Sequence, residues 1–293
     1  MELIVIYIAL VLFGATLGSF AGAMVWRIRA RQLVDDKAHG EKVDGRELKQ
    51  LKKLTNASLM QDRSRCLHCS YQLRWHDLIP VVSWITLRGR CRQCEKPIGK
   101  FELLIELGLI AFFALSYMYW PLPLDTALAI AQFILWLVAG VIMAILFAYD
   151  TKWFLLPSRE TLLLALVGVA TVVLVALQTG EYVETVLSAL GAVGALGGLY
   201  FVLYFVSQGK WVGFGDVKLG IGLGLLLIDW QLALFALFMA NFIGTILVTP
   251  LLIAKKMTRT SHVPFGPLLI LGAILAWFIG PPILDWYVGL LGV

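Results

Sequence analysis

Six residues carry most of the chemistry this 293-residue sequence can offer. Four are cysteines, in Cys66-Leu67-His68-Cys69 and, after a gap of 21 residues, Cys91-Arg92-Gln93-Cys94. Two CxxC pairs at this spacing predict a tetrahedral zinc site, each pair bringing two thiolates to one ion at about 2.3 Å. Four sulfurs leave no open position, so the zinc is structural and its loop is expected to need the metal to fold. The other readings are paired redox thiols or unrelated buried cysteines. His39, His68 and His76 are spare ligands that a complete set of cysteines makes unnecessary.

The remaining two are Asp150, in Ala148-Tyr149-Asp150, and Asp216, in Gly213-Phe214-Gly215-Asp216. Singly, each could cap a helix or pair with Lys152 or Lys218, each two residues on. Asp216 at a helix N-terminus is also favoured by the helix dipole. Brought together, two carboxyls share a proton, so one can act as base on a water while the other polarises a scissile carbonyl. Gly213 and Gly215 would let the backbone bend and approach a substrate strand, and Lys218 joins them as a candidate active-site-loop residue.

The elements that must position these residues are membrane helices. The chain is 60% hydrophobic and 15% charged, against roughly 25% charged in a soluble domain. A span needs about 20 apolar residues. Candidate spans are Leu3–Trp26, Leu103–Trp120, Thr126–Tyr149, Glu160–Leu177, Thr185–Val206, Val217–Ile228, Gln231–Ala254 and Pro267–Tyr287. Pro121, Pro123, Pro157 and the polar turn Gln178-Thr179-Gly180 mark breaks between them. Val217–Ile228 rises only about 18 Å, so it starts earlier, near Gly213, or begins recessed inside the protein. Small residues in Gly191–Gly198 and Gly220–Gly224 suit close helix packing. The expected fold is an all-α polytopic membrane protein of about eight transmembrane helices with a small cytoplasmic zinc-binding loop domain.

Charge orients the chain. Segments Arg27–Glu102, Asp150–Glu160, Ser207–Lys218 and Lys255–Gly266 hold 17, 2, 2 and 3 Lys/Arg, all 24 in the chain. The other loops carry Glu2, Asp125, Glu181, Glu184, Asp229 and Asp285. Positive charge stays cytoplasmic, which places both termini outside and the cysteine loop and both aspartates on the cytoplasmic side. The first apolar run is followed by Arg27, Arg29 and Arg31, the reverse of a cleavable signal, so it reads as a retained helix. The domains expected are 1–26, a first transmembrane helix; 27–102, the cytoplasmic zinc-binding module; and 103–293, the transmembrane core with the aspartates. A basic amphipathic helix near Arg46–Leu54 would meet anionic lipid or simply be a solvated loop. Lys255, Arg259 and His262 share the aspartates' side and could steer a substrate or serve only as retained positive charges. A net charge of +5 is no nucleic-acid signal, and no such partner is expected.

These residues, in this order, resemble the type IV prepilin peptidases of the GxGD aspartyl class. The matching stretches are Gly18-Ser19-Phe20, Arg63 to Cys66, Ile79 to Trp84, Leu87 to Cys91, Asp150 with Leu156-Pro157, Gly213 to Leu219, and Pro264-Phe265-Gly266-Pro267. The resemblance implies catalysis by Asp150 and Asp216, zinc on Cys66, Cys69, Cys91 and Cys94, and residence in the bacterial inner membrane. It also implies removal of short basic leaders from prepilins and pseudopilins, after a Gly and usually before a Phe. Many members N-methylate the new N-terminus with S-adenosylmethionine. The chain departs from the family at Leu67 and at Phe101 to Leu104. No glycine-rich loop for a methyl donor is visible, so cofactor-binding residues stay unassigned. Glu102 and Glu106, one helical turn apart, could serve methylation or be interfacial helix residues. The rival readings are another GxGD intramembrane protease, a transporter, or a non-catalytic assembly factor. The absence of a Pro-Ala-Leu signature argues against the first, and the absence of an inverted repeat argues against the second.

Overall fold

The computed structural model describes residues 2–55, 63–256 and 263–291; Arg259 and His262 lie outside them. The chain divides into two compact units, Met1–Tyr117 and Met118–Val293. Among the described residues it is almost wholly helical, with β-pairing confined to two isolated bridges in the cysteine loop.

The first unit begins with α1 (Glu2–Ala38), 37 residues without a break. At 1.5 Å per residue it is about 55 Å long, well beyond the roughly 30 Å hydrocarbon core. The apolar run stops at Trp26 but the helix does not. Ala30 and Leu33 continue one buried stripe and pack with Leu51 and Leu54, ringed by Trp26, Val43, Leu48 and Leu67. Leu51 ends α2 (Gly45–Leu51), and a 3-10 turn at Lys52–Leu54 supplies Leu54. Asp44 caps α2 by accepting the Arg46 N–H at 2.8 Å, which satisfies a free helix-end donor. Arg29 of α1 holds Glu47 of α2 with two hydrogen bonds of 3.1 and 2.7 Å. The amphipathic helix expected near Arg46–Leu54 is therefore docked on α1 through its apolar residues.

The cysteine loop follows, with a 3-10 turn at Trp75–Leu78 and the short α3 (Val82–Thr86), and then α4 (Phe101–Met118). α1 and α4 pack backbone to backbone. A Cβ on Gly18 would lie 2.6 Å from Glu106 Cα, and one on Gly14 2.9 Å from the Leu109 carbonyl oxygen. Small residues four apart are how membrane helices approach this closely.

The second unit contains α5 (Ala127–Trp153), α6 (Ser158–Thr179), α7 (Tyr182–Val193), a π-helical stretch at Gly194–Gly198, α8 (Leu199–Ser207), α9 (Phe214–Leu227), α10 (Trp230–Ile253) and α11 (Phe265–Leu291). Thr126 caps α5 through the Ala129 N–H and Asp229 caps α10 through the Gln231 N–H. Among the described residues seven helices are long and apolar enough to cross a membrane, with α7, the π stretch and α8 forming one of them. The eighth apolar segment is α9, which starts at Phe214, close to the earlier of the two expected origins. Its 14 residues reach about 21 Å. Val217, Leu219, Gly220, Leu223, Gly224 and Leu226 are all buried, so it is enclosed on most sides. A helix that is apolar all round belongs inside a bundle.

Glycines make that burial possible. A Cβ on Gly220 would meet the backbone of Leu196 and Gly197 at 3.0 Å, and one on Gly224 would meet the Ala192 carbonyl at 2.8 Å. Gly168 of α6 returns the contact, its Cβ position lying 2.6 Å from Leu225 Cβ.

Gly18→Ala is expected to cost about 1–3 kcal/mol by overpacking against α4, read as a lower melting temperature of the detergent-solubilised protein. An unchanged melting temperature would mean that the α1–α4 contact yields without cost.

Candidate active site

Asp150 lies one turn inside the C-terminal end of α5, and the helix closes at Phe154 with a left-handed cap (φ 56°). Acidic groups are disfavoured at a helix C-terminus, and Asp150 is only 5% exposed. A second helix compensates: the backbone N–H of Gly266, in the first turn of α11, donates to Asp150 Oδ2 at 3.0 Å. The approach requires glycine, because a Cβ at position 266 would lie 2.7 Å from that oxygen.

Asp216 occupies the first turn of α9. Its Oδ2 accepts the Gly213 N–H at 3.2 Å, while its own N–H donates to the Gly213 carbonyl at 3.1 Å. This is the carboxylate half of a capping box. Asp150 lies near enough to Asp216 to feel its charge. The structure thus brings together the two carboxyls that the sequence singles out.

The two glycines differ in role. Gly213 has an extended backbone (φ −77°, ψ 151°) that other residues also adopt. Gly215 is sterically required, since a Cβ there would lie 2.9 Å from Leu156 Cβ. Lys218 is not a partner of Asp216: its Nζ donates to Ser158 Oγ at 2.7 Å and sits 5.1 Å from the Phe214 ring centroid. Two neighbours were not singled out by sequence. Gly266 appears there only inside a motif, with no hint that its N–H would be used. Tyr200 of α8 is buried, has no hydrogen-bond partner for its hydroxyl among the described residues, and lies within reach of the Asp216 charge. Nothing in the local sequence around Tyr200 distinguishes it from a packing aromatic.

In the first unit the four cysteines converge, their sulfurs all within 4.8 Å of one another. The pairs Cys66–Cys94 and Cys69–Cys91 are each 3.9 Å apart. A tetrahedron with metal–sulfur bonds of about 2.3 Å has edges of about 3.8 Å, whereas a disulfide needs about 2.05 Å. The cluster fits a metal ion and is not a pair of disulfides.

The two halves of the cluster repeat one backbone design. Cys66 N–H donates to Tyr71 O, and Ser70 N–H returns to Cys66 O. Cys91 N–H donates to Lys96 O, and Glu95 N–H returns to Cys91 O. Ser70 and Glu95 both take positive φ, 62° and 54°, and a bridge closes each turn, Arg65 with Gln72 and Arg90 with Pro97. Burial pushes the Cys66 thiol up to about 12. At Cys91 burial acts the same way but is outweighed by the N–H groups of Cys94 and Gln93, and the thiol falls to about 7. A bound cation would hold the whole set as thiolates.

Asp77 ties the loop together. It accepts Arg92 Nε at 2.8 Å and the Arg74 N–H at 3.1 Å. Burial alone would raise the Asp77 carboxyl, but the bond from Arg92 and its charge outweigh it and hold the group below its usual value. The tie is therefore present above the ordinary carboxylate range and is lost as pH falls through the lowered value.

Residues 12–120 match the Bacterial Peptidase A24 N-terminal domain and residues 137–249 match the Type IV leader peptidase family. The first stretch holds the four cysteines and the second holds both aspartates. The chain is 32% identical over 274 residues, 91% of each protein, to the type 4 prepilin-like proteins leader peptide-processing enzyme of Escherichia coli. It is 30% identical to the prepilin leader peptidase/N-methyltransferase of Aeromonas hydrophila, over 78% of this chain and 76% of that one. It is 26% identical to the protein so named in Legionella pneumophila, over 97% and 94%. No solved structure matches. With two family domains matched along the chain and a relative at 32% identity over nine-tenths of both lengths, this protein belongs to the type IV leader peptidase family.

Proposed function

We propose that this chain removes the short basic leader of type IV prepilins and pseudopilins, after a Gly, with Asp150 and Asp216 as its catalytic pair. One observation carries the reading: two carboxyls at the ends of different helices, Asp150 within reach of the Asp216 charge, and both anchored by backbone N–H groups. Such a pair retains a proton between its members. The ionised carboxyl takes a proton from a water, which attacks the carbonyl of the residue before the cut. The protonated carboxyl donates to that carbonyl oxygen as it gains charge. Proton return to the leaving amine completes hydrolysis without an acyl-enzyme. The tyrosine hydroxyl of Tyr200 is a further donor available beside Asp216. Gly213 stands at the entry to α9 and Gly215 and Lys218 lie in its first turns beside Asp216, with the Lys218 ammonium donating to Ser158.

The distribution of Lys and Arg supports an orientation with both termini outside and the cysteine loop in the cytoplasm of a bacterial inner membrane. The division proposed along the chain is a first transmembrane helix at 1–26, a cytoplasmic metal-binding module at 27–102 and the protease core at 103–293. Lipid surrounds the spans, and no nucleic acid is involved. Cys66, Cys69, Cys91 and Cys94 would hold a structural zinc, with no position open for catalysis. The relatives' names also support N-methylation of the new N-terminus, for which S-adenosylmethionine would supply an electrophilic methyl group. The transporter and assembly-factor readings have no observation in their favour.

Asp150→Asn and Asp216→Asn are each expected to lower cleavage of a prepilin peptide by about 10²–10⁴-fold with the fold intact by circular dichroism. Wild-type cleavage by either variant would remove the dyad.

Purified wild type is expected to carry about one zinc per chain, and Cys66→Ser with Cys91→Ser to carry none, by elemental analysis. Equal metal in both would place the ion elsewhere.

A further inference from the structure

The first unit encloses a cavity of about 190 Å³ whose lining includes Trp84, Glu102, Glu106 and the buried Arg27. Charges of both signs share that wall, so it selects no ligand. The second unit holds a sharper anomaly. Tyr200 is 4% exposed, and its hydroxyl is buried with no hydrogen-bond partner among the described residues. A buried hydroxyl without a partner costs free energy, and phenylalanine would fill the same space without that cost. Packing therefore explains the ring but not the oxygen.

Two ring contacts place the side chain. Tyr200 and Tyr204 belong to α8, and residues four apart share one face of a helix. The Tyr200 ring packs on Phe265 with centroids 5.4 Å apart, and Phe265 precedes the Gly266 whose N–H holds Asp150. The Tyr204 ring packs on Phe214 with centroids 5.3 Å apart, and Phe214 stands two residues before Asp216. One face of α8 thus touches both the stretch that anchors Asp150 and the stretch that carries Asp216. The backbone leading into Tyr200 is fixed as well. It follows directly on the π stretch, where a Cβ on Gly197 would lie 3.1 Å from the Ile221 backbone nitrogen of α9. Tyr200 is within reach of the Asp216 charge, yet its hydroxyl bonds to neither carboxyl. A donor fixed beside the carboxyl pair with its own bond unmade suits an oxygen that arrives with the substrate. Donors set in advance where charge develops are worth most in such water-poor surroundings.

We propose that the Tyr200 hydroxyl donates to the scissile carbonyl oxygen during attack by water. The proposal rests on the peptidase reading above. As the water oxygen bonds to the carbonyl carbon, the carbonyl electron pair moves onto its oxygen. One carboxyl takes the proton from the water, and the other donates to the charged oxygen from one side. Tyr200 donates from a second side and keeps its own proton. It is then a third catalytic residue, one that never changes charge.

The test is steady-state cleavage of a prepilin peptide by the full-length chain in liposomes, with a melting curve for each variant. Tyr200→Phe is expected to lower kcat by about 10²-fold with KM little changed, as for a bond made only in the transition state. Its melting temperature is expected to equal or exceed that of wild type, since no bond is lost. The midpoints of its pH profile are expected to stay in place. Tyr204→Phe, one turn away, is expected to cleave like wild type. An undiminished kcat in Tyr200→Phe overturns the proposal, and inactive Asp150→Asn and Asp216→Asn beside it would leave the dyad standing. A rise in KM alone would make the hydroxyl a substrate-binding group and overturn the catalytic role. Shifted pH midpoints with kcat retained at the plateau would make Tyr200 a positioning residue for Asp216, and again overturn it. If Tyr200→Phe melts lower, 3-fluorotyrosine at position 200 decides, since it keeps the hydroxyl and makes it a stronger donor. A kcat that moves with donor strength supports the proposal, and an unmoved kcat overturns it. Absence of cleavage by wild type removes the peptidase reading and this role with it.

Discussion

A carboxyl buried among apolar helices must find a donor or forfeit several kcal/mol. Asp150 finds one in the Gly266 N–H. That contact is possible only because position 266 has no side chain, and it fixes where the first turn of α11 stands relative to the last turns of α5. Leu156 sets the same geometry from the other side. Its side chain lies against the Cβ position of Gly266 at 3.3 Å and against that of Gly215 at 2.9 Å. One leucine is thus wedged between the segment that holds Asp150 and the segment that carries Asp216. Three stretches distant in sequence, around 150–157, 213–216 and 264–267, become one site because two glycines let them meet.

The same economy of volume runs down α9. A 14-residue helix cannot reach across a bilayer, so its ends must be covered by protein. Its glycines let α6, α7 and the π stretch close in until backbones nearly touch. A π stretch is rare and shifts the register of a helix. Here it puts Leu196 and Gly197 against Gly220, and Gly197 against Ile221. Asp216 therefore begins a helix that is held on most sides, and its carboxyl does not depend on a mobile loop for its position.

How much of this was legible in the sequence follows from how local each signal is. The CxxC pairs and the two aspartates announce themselves by residue type and spacing, and the cluster forms as that spacing requires. Hydropathy located the spans within a few residues because apolar length is a local quantity. It stopped α1 at Trp26, whereas the helix runs to Ala38, because hydropathy ends where lipid ends while hydrogen bonding continues along a buried stripe. The Gly266 donor, the unpartnered Tyr200 hydroxyl and the Gly14–Gly18 contact were not legible, since each depends on which distant backbone arrives opposite. Glu102 and Glu106 were visible as a pair one turn apart, but not the cavity they share.

That cavity depends in turn on the cysteines. The second knuckle, Cys91 to Lys96, leads straight into Ile98, whose N–H bonds to Gly89 O at 2.8 Å, and into Gly99, which accepts the Trp84 indole. Two residues later α4 begins and presents Glu102. Val81 is a β-branched residue at φ 61°, a conformation that costs energy and persists only where surroundings enforce it. Its N–H bond to the buried Glu106 is such an enforcement. A metal that clamps the two knuckles would therefore fix the indole, the strained turn and the entry into α4 together. A metal with no open coordination position would in this way shape a cavity that it does not touch.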